Sequence, residues 1–161
     1  VVYFQDYLES SSQNYGIFQA MVTSGSILSG IVIGMIVKKF KNSTIIVTGW
    51  MVLAVLFAAM YFNTNIWITF AIGFFLGVGL TLPAIPLQSV QILIIPDEFR
   101  GRVSTTMQAI SVILIPLSNL LGGIIADYFG SNAVFLVAGI WQFIMVIMVY
   151  INRNIFNHSV N

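Results

Sequence analysis

Residues 66–103 have the sequence IWITFAIGFFLGVGLTLPAIPLQSVQILIIPDEFRGRV, an uncharged apolar run that ends in a charged segment. The run over 66–95 is long enough to cross a bilayer as a helix, because about 20 residues cover the hydrocarbon core. Pro83 and Pro86 predict a kink or a tilt within it. Cytoplasmic loops collect Lys and Arg, so Arg100 and Arg102 indicate that this span ends in the cytosol.

The same pattern repeats along the chain. We expect five membrane spans, at 15–37, 45–62, 66–95, 104–128 and 133–151, with an extracytoplasmic segment 1–14 and a cytoplasmic tail 152–161. All six Lys and Arg residues follow the first, third or fifth span, so the tail is expected in the cytosol and Val1 outside. Charged residues make up 7% of the chain, against about a quarter in soluble domains. The sequence predicts an all-α, multi-pass bundle in the cell (plasma or inner) membrane.

Several classes of function find no support in the residues. There is no basic cluster for nucleic acid, no cysteine, and one histidine, His158, in the polar tail, so we expect no cofactor and no metal site. There is no phosphate-binding glycine loop and no nucleophile beside a base, so we expect no enzyme. The segment 1–14 lacks the features of a signal peptide. We therefore expect the chain to be the C-terminal part of a longer protein.

Polar and small residues follow spans one, three and four at helical steps of three and four, whereas spans two and five are mostly large and apolar. We expect the first group to face protein or a cavity and the second to face lipid. The small residues predicted to pack helices closely are Ser26, Gly30, Gly34, Gly73, Gly77, Ser118 and Gly122. The candidates for lining a substrate cavity are Gln19, Gln88, Gln91, Gln108, Ser111 and Asn119. For the glutamines, hydrogen bonding between helices is an equal alternative.

Two segments resemble a known family. Pro96-Asp-Glu-Phe-Arg-Gly-Arg-Val103 leads into a span that contains Ile115-Pro-Leu-Ser118 and Gly122-Gly-Ile-Ile-Ala-Asp127-Tyr-Phe-Gly130. These segments are similar to the loop between helices ten and eleven, and to helix eleven, of the major facilitator superfamily. They are most similar to its branch of macrolide and siderophore exporters. The resemblance covers nearly the whole chain and implies that the five spans are helices eight to twelve.

The resemblance implies alternating access between two six-helix halves, with helices eight, ten and eleven at the cavity and helices nine and twelve against lipid. The implied partners are membrane lipid, a small-molecule substrate and the N-terminal half of the same transporter. Charged residues after the first and third spans are candidates for an inner gate, and their role in setting the membrane topology is an alternative explanation for them. They are Lys38, Lys39, Lys41, Asp97, Glu98, Arg100 and Arg102. The sequence departs from the family at Lys38, which stands where an acidic residue is usual after helix eight.

We expect a secondary transporter that exports amphipathic compounds such as drugs, driven by a proton gradient as the resemblance implies. No charged residue lies in the middle of any span, so the coupling group is expected elsewhere in the protein. One alternative is the same fold carrying a specific metabolite or siderophore. The other is a non-transporting scaffold or sensor subunit whose spans bind a partner helix.

Overall fold

The computed structural model describes residues 3–8, 11–37 and 39–156. A short π-helical turn, Tyr3–Tyr7, precedes six α-helices, which are α1 (Ser12–Ile36), α2 (Asn42–Phe62), α3 (Ile66–Ile94), α4 (Asp97–Phe129), α5 (Ala133–Ile151) and α6 (Arg153–Phe156). The described residues contain no strand, and five of these helices are long and apolar enough to cross a membrane. The predicted all-α, polytopic bundle is therefore confirmed. Lys38 and His158 lie outside the described residues.

Helices α1 and α3 run parallel and touch through their backbones. Ser26 Oγ donates to Gly77 O at 3.1 Å, and Ser29 Oγ donates to Val78 O at 3.3 Å. A Cβ atom on Gly77 would lie 2.8 Å from Ser26 N, closer than real side chains allow. Gly25 on α1 meets the backbone of α3 in the same way. This pair is the closest helix contact in the bundle, and only glycine permits it.

Helix α2 lies between α3 and α5. A Cβ atom on Gly49 would lie 2.6 Å from Pro83 Cδ on α3, and one on Gly139 of α5 would lie 3.3 Å from Ala54 O. We expected α2 to face lipid as a mostly apolar span, but it supplies much of the core because its small residues admit both neighbours. Its buried apolar residues are Ile45, Ile46, Leu53, Ala54 and Met60.

Helix α4 begins at Asp97, directly after Pro96, so the segment expected as a loop before Ser104 is helical. An acidic pair in the first turn, Asp97 and Glu98, favours a helix start there. A hydropathy pattern does not indicate such a start, because it responds to apolar residues only. We expected α4 to face inward, yet none of its 33 residues is buried among the described parts of the chain. Among the described helices, α5 packs against α4 near Gly122, and α3 touches α4 through the hydrogen bond from Arg100 to Ile92 O.

The segment before α1 covers one end of the bundle. Tyr3 and Phe4 are only 6% and 3% exposed. The Tyr3 hydroxyl lies 3.0 Å from both Met60 O and Asn63 O, where α2 ends, and the Phe4 ring packs against Phe18 of α1. We expected only an extracytoplasmic loop in this region. Its aromatic residues pack because they fill the gap that the helix ends leave.

The charges divide the bundle into two ends. The described Lys and Arg residues lie between α1 and α2, in the first two turns of α4, or directly after α5, so the alternating helix directions bring them to one end. The connections at the other end, 63–65 and 130–132, contain no Lys or Arg. We refer to these as the basic end and the neutral end.

Candidate functional site

The clearest candidate site is a cavity of about 820 Å³ between the C-terminal half of α3 and the N-terminal half of α4, near the basic end. We call it the α3–α4 cavity. The two helices join at Ile95 and Pro96 and separate from that junction. The residues that line the cavity are Gln88, Gln91, Ile92, Ile95, Arg100, Gly101, Val103, Ser104, Met107, Gln108, Ser111 and Val112.

Four of the six residues predicted to line a cavity meet here. Gln88 and Gln91 come from one face of α3, and Gln108 and Ser111 come from one face of α4, because residues three apart share a helix face. Ser111 Oγ donates to Met107 O in its own helix at 2.9 Å. The three glutamine side chains make no hydrogen bond to any described residue. The structure therefore gives no support to hydrogen bonding between helices at these glutamines, whose amides can both donate to and accept from a ligand.

The other two predicted lining residues lie elsewhere. Gln19 is exposed on α1, where its Nε2 donates to the Tyr15 hydroxyl at 3.2 Å. Asn119 is exposed on α4, beyond the residues that line the cavity. Both are polar residues on predicted inward faces, but Gln19 lies on a helix that does not line the cavity, and Asn119 lies beyond the part of α4, residues 100–112, that does.

Three of the residues predicted to pack helices lie in the contact between α1 and α3. Ser26 and Gly77 share the hydrogen bond described above, and a Cβ atom on Gly73 would lie 2.8 Å from the ring of Phe18. On α4, Gly122 lies near Val134 of α5, with 4.0 Å between its Cβ position and Val134 Cγ1. Ser118 is exposed and donates to Ile115 O in its own helix. Of the two residues predicted to pack on α4, Gly122 is therefore the one that approaches a neighbouring helix among the described residues.

The packing face of α1 differs from the one we predicted. No described atom lies within 4 Å of a Cβ built on Gly30 or Gly34. The residues that contact α3 are instead Gly25 and Ser29, together with Ser26. Gly25 and Ser29 are also four residues apart, so the spacing alone describes two neighbouring faces equally well. Which of the two faces packs depends on the position of α3, and the spacing of residues within α1 carries no information about that position.

Of the gate candidates that the structure describes, Arg100 alone lines the cavity. Its Nη2 donates to Ile92 O of α3 at 2.7 Å, and its Nη1 pairs with Asp97 Oδ1 at 2.6 Å. Glu98 and Arg102 are exposed and form no ion pair with a described residue. Lys39 and Lys41 are exposed in the connection between α1 and α2. The described candidates therefore lie in two separate places at the basic end, the connection between α1 and α2 and the first turns of α4.

The residues that we missed are the apolar and small members of the lining. Ile92, Ile95, Met107 and Val112 lie within one helical turn of the predicted glutamines, and Ser104 is one turn before Gln108. The spacing of three and four from each glutamine would have found most of them. The described residues contain no group of His, Cys, Asp and Glu that could hold a metal ion. The arrangement suits reversible binding of an organic molecule through amides, hydroxyls and apolar surface.

Residues 1–160 match the family model of the Major Facilitator Superfamily, which is nearly the whole chain. No curated protein and no solved structure matches the chain significantly. The match agrees with the five apolar helices and indicates a membrane transporter rather than an enzyme.

Proposed function

Because the chain belongs to the Major Facilitator Superfamily of membrane transporters, we propose that its α3–α4 cavity is part of the substrate pathway of a secondary active exporter. Its substrates are amphipathic organic compounds, including drugs, and a proton gradient drives their export. The observation that carries the proposal is the set of glutamines Gln88, Gln91 and Gln108, which line a mostly apolar cavity without a described hydrogen-bond partner. Polar groups at membrane depth are retained where they contact a cavity or a ligand.

The size of the cavity supports a bulky substrate. A volume of about 820 Å³ lies within the range of roughly 300–1,000 Å³ that is usual for pockets that bind small molecules. The apolar members of the lining, such as Met107 and Ile92, provide surface without fixing one shape, and a methionine adapts easily to different ligands. A lining of this kind favours a permissive exporter over a carrier for one polar metabolite.

We further propose that α1 to α5 belong to the C-terminal half of the transporter and that its N-terminal half covers α4. Helix α4 supports this proposal, because a 33-residue helix with a membrane-spanning apolar stretch and no buried residue has most of its surface available to other helices. The N-terminal half would also supply the proton-coupling group. Sequencing of the coding region upstream of Val1 tests this: further apolar spans support it, and a start codon just before Val1 contradicts it.

The basic end is proposed to face the cytosol. The chain has no cysteine, so single cysteines can report the side on which each connection lies. A cysteine at Thr64 should react with a membrane-impermeant maleimide from outside intact cells, whereas one at Lys41 should react only after the membrane is opened. The reverse result would contradict the orientation.

The exporter proposal is tested with inverted vesicles that contain the full-length protein. We expect uptake of at least one amphipathic dye from a panel of cationic rhodamine, neutral Nile red and anionic anilinonaphthalene sulfonate, and we expect a protonophore to abolish it. Vesicles that contain the full-length protein but take up no dye, with or without a proton gradient, would contradict the proposal. In that case a scaffold or sensor subunit would become the better account.

A further inference from the structure

The charge on the described lining of the α3–α4 cavity is positive only. Arg100 is the one ionisable side chain among the described residues that line it, and no carboxylate belongs to the lining. The remaining polar lining residues are neutral amides and hydroxyls, such as Gln91 and Ser104. A ligand in the cavity therefore meets positive charge near the junction of α3 and α4 and no negative charge on the wall.

The guanidinium of Arg100 is held in place at this junction. Nη2 donates to Ile92 O at 2.7 Å and Nη1 pairs with Asp97 Oδ1 at 2.6 Å, so partners on α3 and on the first turn of α4 both constrain it. The remaining N–H groups, including that of Nε, make no hydrogen bond to a described residue. A guanidinium presents its donors in a rigid fork that fits an oxyanion. Arg100 can therefore keep both present contacts and still bind an anionic group.

Asp97 offsets the charge of Arg100 only in part. The Asp97 side chain is 86% exposed and lies outside the cavity lining, whereas the Arg100 side chain is 44% exposed. Water screens an ion pair whose carboxylate is so exposed, so the pair contributes little. A ligand that places its anionic head at Arg100 and its apolar body along the lining would exclude more water from the guanidinium than Asp97 does, so its charge would be screened less.

Apolar surface continues from Arg100 into the cavity. Ile92 and Ile95 of α3 face Val103, Met107 and Val112 of α4 across it. A molecule with an anionic head at Arg100 would thus bury an apolar body between the two helices. The amides of Gln88 and Gln108 lie farther from the junction of α3 and α4 than Arg100 does, where they can bind polar groups on that body.

We infer that the α3–α4 cavity binds amphipathic anions in preference to matched neutral or cationic molecules, with Arg100 holding the anionic head. This inference rests on the proposed function and specifies its substrate class. An anionic lipid headgroup shares the same chemistry at Arg100. A small molecule is the better occupant, because the acyl chain of a lipid would leave the three glutamine amides without hydrogen-bond partners.

The test uses three probes with one apolar body, which are pyrenebutyrate, its neutral amide and the cationic pyrenebutylamine. Binding to the full-length protein in neutral detergent is measured by equilibrium dialysis, with protein-free micelles correcting for partition. Wild-type protein should bind pyrenebutyrate about five- to tenfold more tightly than the amide. The Arg100→Gln variant should bind both equally, and Arg100→Lys should keep part of the preference because it keeps the charge.

The matched control is Arg102→Gln, which removes the same charge two residues away from a side chain outside the lining, and it should leave the preference unchanged. Asp97→Asn should increase the preference, because it removes the competing carboxylate. Equal binding of pyrenebutyrate and its amide to wild-type protein would overturn the inference, as would an unchanged preference in Arg100→Gln that elutes as folded protein.

Two further outcomes separate the alternatives. Phosphatidylglycerol that binds in an Arg100-dependent way and excludes pyrenebutyrate would overturn the inference in favour of a lipid site. Vesicles that export only the neutral or cationic dye would overturn it and leave the exporter proposal standing. An Arg100-dependent preference in a protein that transports nothing would support the anion site and contradict the exporter proposal.

Discussion

Replacing Gly77 by alanine should separate α1 from α3. The new Cβ would lie 2.8 Å from Ser26 N and closer still to Val22 O, whereas ordinary contact begins at 3.4 Å. The helices must therefore move apart by more than the roughly 0.6 Å that the Ser26 N contact alone requires, because Val22 O lies closer, and the Ser26 Oγ hydrogen bond to Gly77 O is weakened. Both neighbours are backbone atoms, so no side chain can rotate to relieve the clash.

The magnitude follows from three contributions. Overpacking costs about 1–3 kcal/mol, and a hydrogen bond between membrane helices contributes about 0.6 kcal/mol. Alanine in place of glycine gains about 0.5–1 kcal/mol of helix propensity, which acts in the opposite direction. Gly77→Ala should thus destabilise the protein by about 1–3 kcal/mol. Gly30→Ala is the matched control, because its Cβ meets no described atom within 4 Å and should only gain helix propensity.

Thermal unfolding of the purified protein in a mild detergent, followed by circular dichroism, compares the two variants. Gly77→Ala should melt about 5 to 10 °C below Gly30→Ala, since a kilocalorie shifts the melting temperature of a protein of this size by about 2–4 °C. Equal melting temperatures for the two variants would refute the backbone contact between α1 and α3.

Three further predictions concern the cavity and the two ends of the bundle. Gln108→Leu should weaken substrate transport about five- to tenfold by removing a hydrogen-bonding amide, whereas Gln142→Leu, outside the lining, should leave it unchanged in the same vesicle assay. Arg102→Ala should slow transport about two- to fivefold if this charge acts in an inner gate. Membrane insertion of the variant is compared by immunoblot, and equal losses of transport and of insertion would leave only a topogenic role. Tyr3→Phe should lower stability by about 1 kcal/mol through loss of its hydroxyl contacts, while Tyr128→Phe, 81% exposed, should melt like wild type.

The sequence predicted the all-α class and the five helices that are long and apolar enough to cross a membrane, because a bilayer imposes a minimum apolar length on each span. It did not predict that α4 begins at Asp97, since charged residues in a first helical turn do not count toward an apolar run. Nor did it predict the burial of Tyr3 and Phe4, because a short segment without periodicity carries no pattern that indicates which side chains pack. Hydropathy thus identifies what crosses the membrane and leaves helix ends and caps undetermined.

The residues of the candidate site were predictable only in part, because the spacing of polar residues shows which helix face they share and not what that face contacts. Polar residues on two helices that are adjacent in sequence, such as Gln91 and Gln108, were brought together because α3 and α4 meet at a short junction. Gln19 satisfied the same pattern on α1 but lies outside the cavity, because α1 packs against α3 through a different face. The spacing of polar residues identifies one face of a helix. Which helix or cavity that face contacts depends on how all the helices pack together.

If substrate passes through the α3–α4 cavity, a group attached to a single cysteine in that cavity should block transport. In full-length protein with no other cysteine, Ser111→Cys places a thiol among the lining residues, and Ser118→Cys places one on the same helix outside them. Reaction with N-ethylmaleimide should block transport in the first variant only, and an exported dye should slow that reaction. Full transport by the modified Ser111→Cys protein, with no protection by the dye, would contradict the account.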